Sequence, residues 1–308
     1  MTRLLRFHWL FLLFALASPL AAQSLPPGCY YTDEEQLYCP PPKPFECSAQ
    51  ATATPVIRAE GVAELVAPLQ ITCTGGTPMV AGSIIPTATI TITIGPNLNI
   101  TSRLLDPGGS SEVLLLLDEP SISAQYPCES SNGICTAYGN GTGTGYYGGG
   151  SQIPSVPNNR NVFQGVLAGA NTVIFRGIPL DPPGQTNSRT FTFQNIRVNA
   201  SQLQVPAGGG AAVTATISLS GQQPVTIADT VQSVAIARAS LRNAVRDAAN
   251  TADAPSGLTA ATASAGTLVR VGTLRFGENN SVVFRARTVA SAPDINTSPA
   301  PAPQNQVG

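Results

Sequence analysis

The chain is poor in the side chains that most enzymes use for acid–base and nucleophilic catalysis. Among its 308 residues there is one histidine, His8, and one tryptophan, Trp9. Both lie in an N-terminal stretch that reads as a removable export signal. Without imidazole, serine and cysteine nucleophiles lack their usual general base, and zinc loses its commonest ligand. The sole lysine, Lys43, lies in a proline-rich stretch and is a poor candidate for Schiff-base chemistry.

Charge is also scarce. Charged residues make up 11% of the chain, and the formal net charge is −1, which becomes −3 when Arg3 and Arg6 are removed. The arginines are scattered singly along the sequence, whereas nucleic-acid surfaces need clustered cations that displace counterions. We therefore expect neither nucleic acids nor anionic membranes as partners.

The N-terminal stretch has the three parts of a secretory signal peptide. Arg3 and Arg6 supply the positive region, residues 7–17 are apolar, and Pro19 and the alanines up to Ala22 provide a small-residue cleavage site. Because a membrane anchor needs about 20 apolar residues, the run is too short to span a bilayer. Residues 1–22 are therefore predicted to be a signal peptide, with a secreted or cell-surface product and no membrane span after cleavage.

An even number of cysteines in an exported chain indicates disulfide bonds. They are Cys29, Cys39, Cys47, Cys73, Cys128 and Cys135. Six cysteines allow 15 connectivities. Cys128 and Cys135 bracket a turn-rich segment, and Cys47 and Cys73 flank the first strand region, which leaves Cys29 for Cys39. The alternative, a metal site, lacks C-x-x-C spacing and histidine, so no metal or cofactor is predicted.

Residues 55–240 carry the strand signals. In residues 88–94, isoleucines and threonines alternate, which is typical of a strand with one buried and one wetter face. Similar runs recur between turns such as GPN, DPGG and DPPG. Eight to ten strands without intervening helices predict an all-β fold, an antiparallel β-sandwich of the immunoglobulin-like or jelly-roll-like class.

Two segments interrupt or precede this body. Residues 23–54 form a Cys/Pro-rich leader with no apolar period. Residues 137–159 are a Gly/Tyr-rich loop, whose glycine spacing lacks the strand, helix and Gly-Lys-Ser/Thr of a phosphate-binding loop. Tyr138, Tyr146 and Tyr147 give this loop the composition of an adaptable contact loop, although a plain surface loop has the same composition.

The C-terminal part is divided into three predicted segments. Residues 231–250 fit both a strand and a helix, and we predict a strand to about Ala239, then a linker or short helix at 241–267. A β-hairpin is predicted at 268–290 and a disordered Pro/Ala tail at 291–308. Because two strands are not a stable domain by themselves, the hairpin must pack on the body or pair with another molecule.

Carboxylate chemistry is what remains for catalysis. A glycosidase needs two acids facing each other across a groove, but no such pair stands out. Asp118 and Glu119 are strand neighbours that point to opposite faces, and both read as solvated strand-end charges. We interpret Glu60 and Glu64 as solvated charges as well. We therefore predict no catalytic residues and no enzymatic activity.

Three runs carry a resemblance to a known group: VIRAEGVAELVAPLQITCTGG, NVFQGVLAGANTVIFRGIPLDPPG and RTFTFQNIRVNAS. Over roughly residues 45–240 the chain resembles uncharacterised exported proteins of environmental, especially soil, bacteria. The resemblance implies a secreted β-rich module and supplies no functional residues.

The favoured hypothesis is an exported structural or binding protein, adhesin-like or surface-assembling, whose partners are itself or other surface proteins. The segment 281–290 could add to the sheet edge of a neighbouring subunit. The alternatives are a carbohydrate-binding module that stacks polysaccharide on the loop tyrosines, and a histidine-free glycoside hydrolase.

Overall fold

The computed structural model describes residues 30–33, 36–38, 41–95, 97–130, 132–143, 159–206, 208–246 and 272–279. The chain divides into two compact units, Met1–Pro42 and Lys43–Gly308. In the first unit, β1 (Tyr30–Tyr31) and β2 (Leu37–Tyr38) form an antiparallel hairpin in which Tyr30 pairs with Tyr38. The predicted signal peptide (1–22) and tail (291–308) lie outside the described residues.

The second unit contains the other described strands and two short 3-10 helices. The strands are β3 (Glu46–Ala51), β4 (Val56–Arg58), β5 (Glu64–Leu65), β6 (Leu69–Gly75), β7 (Thr87–Gly95), β8 (Ser110–Leu117), β9 (Val162–Leu167), β10 (Thr172–Pro179), β11 (Gly184–Gln194), β12 (Arg197–Val198), β13 (Ala211–Gly221), β14 (Thr226–Ala228), β15 (Val231–Arg238), β16 (Leu241–Arg246) and β17 (Thr273–Glu278). The 3-10 helices are Ile122–Ala124 and Ala200–Gln202. The prediction of an all-β fold is confirmed.

Most of these strands belong to one large mixed sheet. Its 11 strands are ordered β14-β3-β6-β11-β8-β9-β10-β7-β13-β15-β4. Most neighbours are antiparallel, but β14 pairs with β3 and β15 with β4 in parallel. The purely antiparallel prediction is wrong at these two outer pairs, because strands far apart in sequence meet there and no hairpin turn dictates their direction.

The sheet curls around its own core. Gln232 of β15 donates from Nε2 to the carbonyl oxygen of Ala49 in β3 at 3.1 Å, and its Oε1 accepts from the Ala51 amide at 3.2 Å. These two strands each lie next to an outermost strand at opposite ends of the sheet order. The amide side chain of Gln232 thus links the two ends of the curled sheet.

Strand β7 shows why the buried face forms. Ile90, Ile92 and Ile94 are fully buried, while the threonines between them are half-buried on the opposite face. Ile92 pairs with Val173 of β10 and Ile217 of β13, so the alternation fixes the register on both sides. The predicted two-faced strand is confirmed.

Two of the predicted disulfides are present, and one involves the predicted leader. Cys47 bonds to Cys73, and Cys128 to Cys135, while Cys29 and Cys39 lie outside the described residues. Cys47 belongs to β3 and pairs directly with Cys73 of β6. The last part of the predicted leader (23–54) thus contributes β3, with its alternating buried positions, to the large sheet.

The C-terminal segments also differ from the prediction. Residues Leu241–Arg246, predicted as linker or short helix (241–267), form strand β16, which pairs antiparallel with β17. Tertiary pairing with a strand 27 or more residues later overrides the local helical pattern. Within the predicted hairpin (268–290), β17 is the described arm, and the second arm lies outside the described residues.

Candidate functional site

The ends of the Gly/Tyr-rich loop are fastened to the sheet unit. Backbone hydrogen bonds tie residues 137–141 to residues 79–85, including Ile85 N to Ala137 O at 2.9 Å. Tyr138 is half-buried and forms a β-bridge with Ile84, which is 64% exposed. Of the predicted contact residues, Tyr138 therefore lies at the loop base, whereas Tyr146 and Tyr147 lie outside the described residues.

A buried asparagine that the sequence analysis missed closes this base. The Tyr138 amide donates to Asn159 Oδ1, and Asn159 Nδ2 donates back to the Tyr138 carbonyl, both at 2.9 Å. Asn161 makes the matching pair of bonds to Tyr126 N and Ala124 O. Asn159 and Asn161 are 1% and 0% exposed. The polar run NNRN was the available signal, because asparagine can satisfy backbone donors and acceptors together.

Close packing explains a glycine at the loop base. Gly143 has φ +72°, and a Cβ there would lie 2.5 Å from the carbonyl oxygen of Pro182. Asn140 Oδ1 accepts hydrogen bonds from the amides of Thr142 and Gly143, both at 2.9 Å. This turn needs a left-handed residue without a side chain, which is a structural reason for the glycine.

A buried arginine joins this turn to two carboxylates. Arg189 of β11 is 1% exposed, and its Nη2 donates to the Gly143 carbonyl oxygen at 2.6 Å. Its Nε lies 3.4 Å from Asp118 Oδ2, and its Nη1 lies 3.9 Å from Asp181 Oδ2. We call Arg189, Asp118, Asp181 and Gly143 the arginine cluster. It connects the end of β8, the segment after β10 and the loop base.

Asp181 is the most strongly buried acid of the arginine cluster. Burial raises the pKa of its carboxyl above the usual value, and the charge of Asp118 acts in the same direction. The Met79 amide, which donates to Oδ1 at 2.9 Å, and the positive charge of Arg189 oppose that rise. The hydrogen bond from Met79 and the charge of Arg189 thus offset part of the cost of burying the Asp181 carboxylate, as in a structural ion network.

The adjacent acids Asp118 and Glu119 are bonded rather than simply solvated. Asp118 Oδ1 accepts from the Thr190 amide at 2.9 Å, and Glu119 Oε1 accepts from Gln70 Nε2 at 2.9 Å and Thr192 Oγ1 at 3.0 Å. Both residues have positive φ, 54° and 45°. The interpretation as solvated strand-end charges holds only in part: both residues follow the end of β8 and Glu119 is exposed, but the tight turn also directs both carboxylates onto neighbouring strands.

Strands β16 and β17 form a second candidate surface, which we call the ribbon. Among the described residues, these two strands pair only with each other. Directly opposite residues of an antiparallel pair share a face, and the register pairs Val245 with Leu274 and Asn243 with Phe276. One face thus carries Leu241, Val245, Leu274 and Phe276, which are 50%, 40%, 67% and 68% exposed.

A carboxylate fastens the start of the ribbon. Glu60 Oε2 accepts from Ser240 Oγ at 2.7 Å, and both carboxylate oxygens accept from the Ser240 amide at 3.2 Å. Burial opposes ionisation here, but the bonds from the Ser240 hydroxyl and from backbone amides outweigh it and hold the pKa of Glu60 below its usual value. Asn279 N also donates to the Ser240 carbonyl oxygen at 2.8 Å. The ribbon is therefore held at its Ser240 end.

An open depression of about 380 Å³ lies near the Cys128–Cys135 loop, where β7 begins and β10 and β13 end. Its lining combines Thr89, Arg176, Ser220 and Gln222 with the apolar Ile134. Hydroxyl, amide and guanidinium groups beside an apolar patch suit a polar, neutral ligand such as a sugar.

No group of three or more His, Cys, Asp or Glu side chains within the described residues is arranged to hold a metal ion. In the same part of the chain, none of the helices has the length and apolar character that crossing a membrane requires. The two disulfides indicate an oxidising, extracytoplasmic environment. A scan against protein-family models and a search of curated proteins found no match to this chain.

Proposed function

We propose that the protein is an exported, non-catalytic structural or binding protein that assembles with copies of itself through the ribbon, in the manner of an adhesin or surface-assembly module. The observation that carries this proposal is the exposed apolar face formed by Leu241, Val245, Leu274 and Phe276. Contiguous apolar patches of this kind mark interaction surfaces in soluble proteins.

The ribbon is also a separate two-stranded sheet. Among the described residues, β16 and β17 pair only with each other, so no described strand covers the outer edge of either one. A two-stranded sheet is marginal by itself and is stabilised by a further strand or a packed face. Every copy of the chain carries the same edge and the same apolar face, so a twofold contact satisfies both copies at once.

The ionisable groups support a non-catalytic role. Asp118, Glu119, Glu60 and Glu64 each bond to a neighbouring strand, amide or arginine. Asp118 and Asp181 both face Arg189 in a buried network, whereas a glycosidase needs two carboxylates facing an open groove. Their bonding supports a structural function for these acids.

We propose that the curled sheet is a rigid scaffold for the ribbon and that its two halves act as the layers of a β-sandwich. The Gln232–Ala49 hydrogen bond supports this view, since it joins opposite ends of the strand order. We further propose that the leader is closed by a Cys29–Cys39 disulfide. The pairing of Tyr30 with Tyr38 supports it, because these residues are the sequence neighbours of the two cysteines.

Size-exclusion chromatography with light scattering tests the assembly. We expect the secreted protein to elute above its monomer mass and the variant Leu274→Ser/Phe276→Ser to elute as a monomer. The matched control is Val80→Ser/Ile122→Ser, which removes apolar side chains that are 73% and 90% exposed outside the ribbon. A monomeric wild type, or equal loss of assembly in the control, contradicts the proposal.

A second candidate function, a carbohydrate-binding module, is favoured by the open depression. Arg176 and Gln222 can donate to sugar hydroxyls there, and Ile134 offers an apolar contact. Affinity gels containing common neutral polysaccharides test it. Retarded migration that is lost in Arg176→Ala/Gln222→Ala supports this function, and unretarded migration in every gel refutes it.

A further inference from the structure

The opposite face of the ribbon gathers positive charge. The register pairs Arg242 with Gly277, Ala244 with Arg275 and Arg246 with Thr273, which places the three arginines on one face. We propose that this arginine face binds an acidic polysaccharide, through the carboxylate or sulfate groups along its chain. The proposal does not depend on self-association, because assembly uses the other face and the strand edges.

The geometry brings the three side chains close together. Arg275 lies directly across from Ala244, so it is a diagonal neighbour of both Arg242 and Arg246, at about 7–8 Å between Cα atoms. Arg242 and Arg275 are exposed, and Arg246 is half-buried. A Cβ added to Gly277 would lie 3.1 Å from Arg242 Nε, so the Arg242 side chain extends across the ribbon. Arg242 and Arg275 thus present two exposed, neighbouring cations on one face of the ribbon.

Among the described residues of the ribbon, no carboxylate shares the face of Arg242 and Arg275. The other positions of the arginine face are Ala244, Gly277 and Thr273, and Glu278 lies opposite Leu241 on the apolar face. The ion pairs found among the described residues do not include Arg242 or Arg275. Like charges this close repel each other, and an anionic ligand relieves that repulsion.

The surrounding sequence has the same sign. Residues 238–290 contain seven arginines and three acids, although the whole chain has a net charge of −1. The rest of the chain is therefore acidic, and in the sequence the positive charge is concentrated in the stretch that contains β16 and β17. Such asymmetry favours an anionic partner for this region alone.

The arrangement favours a polysaccharide over a nucleic acid or a membrane. Single-stranded nucleic acids are held by aromatic side chains on the basic surface, and Phe276 lies on the other face. An amphipathic element on a membrane also carries its cations opposite its apolar face, but a broad anionic bilayer would repel the acidic remainder of the chain, whereas a single polysaccharide chain contacts the ribbon alone. Guanidinium forks bind carboxylate and sulfate groups bidentately, and a hydrated chain can reach several of them.

Isothermal titration calorimetry on the secreted full-length protein tests the proposal, with polygalacturonate and dextran sulfate as ligands and neutral dextran as the control. We expect salt-sensitive binding to at least one acidic polymer and none to dextran, and the polymer that binds identifies the anionic group. The variant Arg242→Gln/Arg275→Gln should lose about tenfold in affinity. Arg242→Lys/Arg275→Lys should recover part of it, because it keeps the charge without the fork.

The matched control is Arg103→Gln, an exposed arginine in the segment before β8. It should leave the affinity unchanged, and circular dichroism should show the same folded signal in all variants. Leu274→Ser/Phe276→Ser should also bind normally, which separates this proposal from self-association. Absence of binding to both acidic polymers overturns the proposal. An equal loss of affinity in Arg103→Gln also overturns it, as does binding only to single-stranded DNA or to phosphatidylglycerol vesicles.

Discussion

Replacing Arg189 with methionine is expected to lower the free energy of unfolding by about 3–5 kcal/mol at pH 7. The variant keeps much of the buried side-chain volume but removes the charge shared by Asp118, Asp181 and Gly143. Asp118 can regain water, because its side chain is 28% exposed. Asp181 is 1% exposed and keeps the hydrogen bond from the Met79 amide but loses the opposite charge, so most of the loss arises there.

The same substitution should release the loop base, because Arg189 Nη2 bonds to the Gly143 carbonyl oxygen at 2.6 Å. Urea denaturation measures the global loss of stability. Limited chymotrypsin digestion measures the local effect, since Tyr146 and Tyr147 follow Gly143 in the sequence. We expect faster cleavage after these tyrosines in Arg189→Met than in the control Arg103→Met.

The double variant Arg189→Met/Asp181→Asn separates charge from packing. It removes the buried unpaired carboxylate, so it should recover a substantial part of the stability lost in Arg189→Met. A loss below about 1 kcal/mol in Arg189→Met, or no recovery in the double variant, would refute the role assigned to the arginine cluster.

Two further predictions concern the disulfides and pH. Replacing Cys47 and Cys73 by serine should lower the free energy of unfolding by about 3.5 kcal/mol, and replacing Cys128 and Cys135 by about 2.5 kcal/mol. The first loss is larger because the first bond closes the longer loop, with separations of 26 and 7 residues. Urea titration of both variants checks this order, and a larger loss for the shorter loop contradicts it. Burial raises the pKa of Asp181, so its contribution to stability is fully present below its unfolded pKa and declines as pH rises through the folded value. The unfolding free energy of the wild type relative to Asp181→Asn should therefore fall as pH rises above about 4; urea titrations from pH 3.5 to 7 measure it, and a flat or rising difference is the opposite result.

Local sequence patterns were sufficient to predict a strand where one of its faces is buried and the other is exposed to solvent. The alternation through Ile90, Ile92 and Ile94 specifies both the strand and its buried side, because side-chain direction has a period of two. The bonds Cys47–Cys73 and Cys128–Cys135 could also be predicted, since the first pair flanks a strand region and the second closes a short turn, although only the structure shows that the first joins neighbouring strands.

Pairing between distant segments could not be derived in this way. Arg189 lies in the run RTFTF, where neither the polarity nor the spacing indicates that its side chain is buried against Asp181 and Gly143. Likewise, Arg242 and Arg275 look like isolated charges along the chain, and only the register of β16 against β17 places them on one face. Such contacts depend on tertiary pairing, which overrides local propensity.

Hydrogen–deuterium exchange at two protein concentrations tests most directly whether the ribbon is the self-association surface. At high concentration, the amides of Leu241–Arg246 and Thr273–Glu278 should exchange more slowly than at low concentration, because the edges become paired in the assembly. Amides of β7, in the middle of the large sheet, should exchange at the same rate at both concentrations. Ribbon protection that does not change with concentration would contradict the account.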